Sequence, residues 1–186
     1  APRRRWLLRG LLVVLAAWLV LLVVLMFWWS GEPEPFDPVG RAQAEAQARQ
    51  RPLVEGHVTV ATLRTLASTL LDKRGGYLSN DIAPPGVFMD NMPNWEFGVL
   101  VQVRDLARAL RNDFSRSQTQ STEDPDLQEA DPLFHYSSDR WAFVSTESRY
   151  RQGVRRLDAY LDRLSDGDAY NAQFYARADN LADWLA

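Results

Sequence analysis

Three carboxylates, Asp81, Asp90 and Glu96, lie within residues 77–96 together with Asn80, Asn91, Asn94 and Trp95. Two acids held close together can divide into general acid and general base, and an indole beside them can stack on a sugar ring, which is the equipment of a glycan hydrolase. A simpler reading competes with it. Asp and Asn are the ordinary residues of turns and helix caps, and no spacing rule singles out these acids. Oxygen-rich loops also attract Ca2+, yet Asp81, Asp90 and Asn91 do not follow the spacing of a contiguous calcium loop. His57 and His135 are far apart in the chain, and neither has a close-spaced second ligand, so no metal and no cofactor is expected. The sequence has 0 Cys, which removes disulfides, thiolate nucleophiles and zinc–thiolate sites together. There is no nucleophile elbow, P-loop, dinucleotide fingerprint or Ser-x-x-Lys signature. Ser145, Thr146 and Ser148 read as helix-capping residues. Arg104, Arg108 and Arg111 with Asp105 and Asp113 read as an ion-paired helix face, an anion site being the lesser alternative.

The same stretch offers a second chemistry. Phe88, Met89, Met92 and Trp95 are good interface anchors where exposed, and ordinary core where they are not. A protein–protein docking surface is therefore weighed against the hydrolase.

Whichever applies, residues 11–29 decide which compartment it serves. They form an unbroken apolar run of 19 residues, long enough to cross a bilayer as a helix. Arg3, Arg4, Arg5 and Arg9 precede it, while Glu32, Glu34 and Asp37 follow it, so the positive-inside bias predicts a cytoplasmic N-terminus and a periplasmic remainder. Trp6 on one side and Trp28 and Trp29 on the other suit the aromatic belts of a membrane interface. A cleavable signal peptide would carry about 7 to 15 apolar residues and then a small-residue cleavage site. This run is longer and ends in Phe27-Trp28-Trp29, so a retained anchor is expected. It holds no Gly-based dimerisation motif, and Trp18 falls near mid-bilayer.

Four regions follow. Residues 1–10 are a short basic cytoplasmic segment, 11–29 the transmembrane helix, 30–52 a spacer and stalk, and 53–186 a helical periplasmic domain. Alternating prolines at 33, 35 and 38 predict an extended spacer, and residues 41–50, which are Ala, Gln, Glu and Arg only, predict an exposed helical stalk. Val60, Leu63, Leu66, Leu70 and Leu71 predict a helix stopped by Gly75-Gly76. Phe97, Leu100, Val101, Leu106, Leu110 and Phe114 predict another, capped by Asn94. Residues 115–131 turn acidic and read as an exposed loop with one short helical turn after Pro125. The clusters Phe134-His135-Tyr136 and Trp141-Ala142-Phe143-Val144 flank a polar turn, a spacing that admits one small β-hairpin. Tyr150, Val154, Leu157, Leu161 and Leu164 predict a helix ended by Asp166-Gly167, and Phe174, Ala178, Leu181 and Leu185 a last one opened by Asn171. The fold class is thus mostly α: one transmembrane helix, then a helical bundle with long irregular loops. Net charge is −3, and residues 1–29 carry four Arg and no acid, so the remainder carries −7. An exported part of that sign disfavours nucleic acid as a partner. The expected partners are the lipid bilayer and another membrane or envelope protein.

Several long strings carry a resemblance. Gly75-Gly76-Tyr77-Leu78-Ser79-Asn80-Asp81, Asp90-Asn91-Met92-Pro93-Asn94-Trp95-Glu96-Phe97-Gly98-Val99-Leu100, Arg111-Asn112-Asp113-Phe114-Ser115-Arg116-Ser117-Gln118 and Phe174-Tyr175-Ala176-Arg177-Ala178-Asp179-Asn180-Leu181 resemble DUF2333, a family of uncharacterised single-pass inner-membrane proteins of proteobacteria. The resemblance implies a Gram-negative envelope protein and brings no catalytic residue or cofactor. It also implies a chain that continues past Ala186. Three functions follow: an accessory or scaffold protein that docks onto a larger assembly, an envelope glycan hydrolase using two of Asp81, Asp90 and Glu96, and a sensor, which the short cytoplasmic segment disfavours.

Overall fold

A computed structural model describes residues 2–116, 122–142, 144–166, 172–179 and 182. The first helix, α1 (Pro2–Trp29), is long and apolar enough to cross a membrane. Five further helices follow: α2 (Pro38–Ala48), α3 (His57–Asp72), α4 (Asn91–Ala109), α5 (Pro125–Phe134) and α6 (Thr146–Leu164). Among the described residues there is no strand.

The chain runs back and forth along a single axis. Arg74 stacks over Trp28, 5.1 Å from its ring centroid, so α3 ends beside the end of α1. Lys73 meets Glu96 in the second turn of α4, so α4 starts from that same end. Asp124, capping α5, pairs with Arg163 in the last turn of α6, and Asp72 at the end of α3 pairs with Arg151 near the start of α6. These contacts define an anchor end, holding residues 72–97 and 136–149, and a far end. The far end holds Arg49 with Asp162 at 3.0 Å, His57 with Ser165 at 3.0 Å, and Phe114 stacked on Phe174 at 5.3 Å.

One core fills the bundle. Val60, Leu63 and Leu70 of α3, Leu100 and Val103 of α4, Leu127 and Phe134 of α5, and Tyr150, Leu157 and Tyr160 of α6 are all buried in it.

Several elements depart from the sequence reading. The alanines of the predicted stalk are a packing face: Ala42 and Ala46 are buried, and Arg64 of α3 pairs with Glu45 of α2. Small side chains let the two helices close up. Asp90, not Asn94, caps α4, accepting a bond from the Asn91 N–H at 2.7 Å. Phe97 points outward. α5 is a full ten-residue helix where one short turn was predicted. Its apolar positions, Leu127, Ala130 and Phe134, follow helical spacing, but the acids between them mask it. Those acids are not solvated: Asp124, Asp126 and Asp131 are buried, held by Arg163, Arg156 and Arg111.

No hairpin forms among the described residues. Phe134 closes α5, and Thr146 ties down the following turn by accepting from the Arg140 N–H at 3.1 Å and donating to the Ser137 carbonyl at 2.8 Å. Bonds to one threonine side chain have taken the place of a ladder, and Ser145 caps α6. Phe143, Gly167, Asn171, Leu181 and Leu185, on which parts of the predicted hairpin and last helix rested, lie outside the described residues.

Candidate functional site

Among the described residues Glu96 is the most enclosed charge, with 0% of its side chain exposed. Its oxygens accept from the N–H groups of Leu78 and Ser79, both at 2.8 Å, and from the Ser79 hydroxyl at 2.5 Å. Lys73 Nζ completes the set at 2.6 Å. The carboxylate therefore anchors the chain after the Gly75-Gly76 turn, with no face left for a substrate. Asp90 is exposed and spends its carboxylate on the α4 cap. Asp81 is half-buried; burial, then the charges of Glu147 and Glu96, push its carboxyl above the usual 3.8. Beside it, Asn80 is buried and donates to the Arg140 carbonyl and to Glu147, at 3.0 and 2.9 Å. Glu96 and Asn80 bind the loop to the bundle, while Asp90 caps α4.

The four apolar candidates divide. Phe88 is 64% exposed, Met89 is half-buried, Met92 is buried, and Trp95 packs against the core. The loop thus shows one large ring outward, flanked by the exposed Ile82 and Val87. Trp141 and Val144, which precede α6, are exposed at the same end. Sequence reading assigns Trp141 and Val144 to a hairpin and gives Ile82 and Val87 no role, because residues in loops carry no periodicity.

The membrane-interface candidates occupy the two ends of α1. Trp6 and Trp28 are exposed, while Trp29 is half-buried against the turn at Gly75. A Cβ on Gly75 would stand 2.7 Å from the Trp29 ring, and the residue's φ of 82° also requires glycine. Only glycine lets the turn touch α1.

A groove of about 860 Å³ runs between α5 and α6. Pro132, Leu133 and Tyr136 form its apolar wall, and Arg149, Arg155 and Arg156 its cationic one. Arg156 is matched by Glu129 at 2.5 Å. Arg149 lies over the Tyr136 ring at 5.5 Å, and its Nε is buried without a hydrogen-bond partner. Arg155 is exposed, with no acidic partner among the described residues. In a domain that is acidic overall, two uncommitted guanidinium groups beside an apolar strip suit an acidic, extended ligand. Arg149, Arg155 and Arg156 follow the polar face of α6, and no local pattern separates them from other solvated arginines.

His57 is buried, its Nδ1 3.0 Å from the Ser165 hydroxyl, and His135 bonds through Nδ1 to Asp131. Among the described residues no cluster of His, Cys, Asp and Glu suits a metal ion.

A family model described as an uncharacterized protein conserved in bacteria, DUF2333, matches residues 2–186. No curated protein and no solved structure matches the chain.

Proposed function

Because the chain belongs to the DUF2333 family of uncharacterized proteins conserved in bacteria, we propose that it is a single-pass inner-membrane accessory protein, N-terminus in the cytoplasm and helical domain in the periplasm, that docks onto a larger membrane or envelope assembly. The groove between α5 and α6 carries this reading. Its occupant is an acidic, extended segment of another envelope protein, whose carboxylates meet Arg149 and Arg155 and whose apolar side chains lie along Leu133 and Tyr136. Bidentate guanidinium–carboxylate contacts supply orientation, and the apolar strip supplies area.

The test is photocrosslinking in native membranes, with benzoylphenylalanine at Gln152 in the groove or at Gln47 on α2. A discrete adduct from position 152, absent from position 47 and lost on combining Arg149→Glu with Arg155→Glu, supports docking. An adduct that survives charge reversal, or equal labelling from both positions, overturns it. Orientation is tested separately: Gln47→Cys, the sole thiol in a chain with 0 Cys, should react with an impermeant maleimide in intact spheroplasts.

A further inference from the structure

The exposed apolar side chains of the bundle are not spread evenly. Beyond residue 30, eight large apolar side chains are exposed among the described residues: Val39, Leu53, Ile82, Val87, Phe88, Phe97, Trp141 and Val144. All but Val39 and Leu53 belong to the anchor end. Ile82, Val87 and Phe88 are in the loop before α4; Phe97 is in that helix's second turn; Trp141 and Val144 precede α6. The far end lies about 24 Å away, the length of the 16-residue α3 at 1.5 Å per residue.

The anchor end is held against α1 itself. Arg74 covers Trp28, and the Gly75 turn rests on Trp29. Further down α1, Leu22 is 9% exposed, and Leu25, Met26 and Trp29 are half-buried. Those positions form a stripe at helical spacing, so the rest of the chain covers one face of α1 to about 10 Å below Trp29. Since Trp29 belongs to the interfacial belt, the covering part of the bundle reaches to headgroup depth or below.

We infer that the anchor end of the bundle is a lipid seat: Ile82, Val87, Phe88, Trp141 and Val144 enter the headgroup region of the leaflet from which α1 emerges. The inference rests on α1 spanning the bilayer. A lipid surface is the occupant because it already adjoins this end wherever α1 is inserted, and because Trp and Phe are the side chains that interface favours. Attraction to anionic headgroups is not the driving force. Glu32, Glu34, Asp90 and Asp139 outnumber the exposed Arg74 and Arg140 at this end, so seating depends on apolar burial and not on the anionic lipid fraction.

The experiment uses the full-length chain reconstituted into vesicles, either phosphatidylcholine alone or phosphatidylethanolamine with phosphatidylglycerol. Single cysteines carry an environment-sensitive NBD label at Val87, one of the proposed contacts, at Ala142 beside Trp141, at Leu15 within α1, and at Gln47. Spin-labelled lipids quench at shallow or deep positions. Val87 and Ala142 labels should be blue-shifted and quenched by shallow spin labels in both lipid mixtures, Leu15 by deep ones, and Gln47 by neither. Combining Phe88→Glu with Trp141→Glu should abolish quenching at Val87 and leave Leu15 unchanged. If Leu15 is unquenched, the spanning reading falls and the seat with it. If Leu15 is quenched while Val87 and Ala142 behave like Gln47, the seat alone is overturned. A blue shift without lipid quenching places protein over this end and overturns it equally.

Discussion

Lys73 Nζ and Glu96 Oε1 are 2.6 Å apart with side-chain exposures of 2% and 0%, which makes them a buried ion pair joining the end of α3 to the second turn of α4. Lys73 also donates to the Gly76 carbonyl at 2.5 Å, while Glu96 gathers the N–H groups of Leu78 and Ser79. Removing one partner strands the other charge away from water. Glu96→Gln and Lys73→Met should each cost about 3–5 kcal/mol, read by urea denaturation of the full-length protein in detergent. Replacing both at once should cost much less than the two single losses added together. A Glu96→Gln loss near zero would show that the pair does not hold the loop.

Gly153 and Gly98 sit inside α6 and α4 and form a matched pair. A Cβ at Gly98 meets nothing within 4 Å, so Gly98→Ala should stabilise by up to about 1 kcal/mol from helix propensity. At Gly153 it would stand 2.7 Å from Phe134 Cζ, in the core between α5 and α6. Overpacking of that kind costs about 1–3 kcal/mol, so Gly153→Ala should lower the melting temperature while Gly98→Ala raises it.

His57 is held below its ordinary 6.5 by burial, with the nearby charges of Arg64 and Arg49 adding to that and Glu45 opposing it. The unfolded chain therefore protonates first as pH falls. Stability should be flat above about pH 7 and decline as pH drops through 6.5 toward the folded value. Urea midpoints measured across that range should show the decline, and His57→Gln should flatten it. An equal slope in both proteins would remove His57 as its source.

Asp81 titrates in the opposite sense. Burial and the neighbouring Glu147 and Glu96 raise its carboxyl above 3.8, so ionisation weighs against the folded state above that pH. Asp81→Asn should raise the melting temperature at neutral pH and give no gain below about pH 3.8. A loss at neutral pH would mean that the charge makes a favourable contact instead.

How far the sequence discloses this architecture depends on where each determinant lies. α1, α3 and α6 are legible because their apolar positions repeat within a single segment. α5 is not, because its acids become acceptable inside the bundle only through arginines elsewhere. Arg163, which holds Asp124 and Asp126, lies 39 and 37 residues further on. Glu96 deceives for the same reason. A lone acid beside Asn94 and Trp95 resembles a catalytic group, and the lysine that closes it off is 23 residues earlier. The outward ring of Phe88 is visible in advance as a large apolar residue in a polar loop, but that it shares an end of the bundle with Trp141 emerges only when Asn80 bonds across to Arg140.

The stacking of Arg74 on Trp28 and the seating of Gly75 on Trp29 settle how the protein handles torque. The proline spacer alone would leave the bundle free to turn about the α1 axis. Clamped at a second point off the helix axis, the bundle instead behaves as a flag on a pole. The azimuth of α1 fixes the compass bearing of the arginine groove, and any contact that turns the pole turns the groove with it.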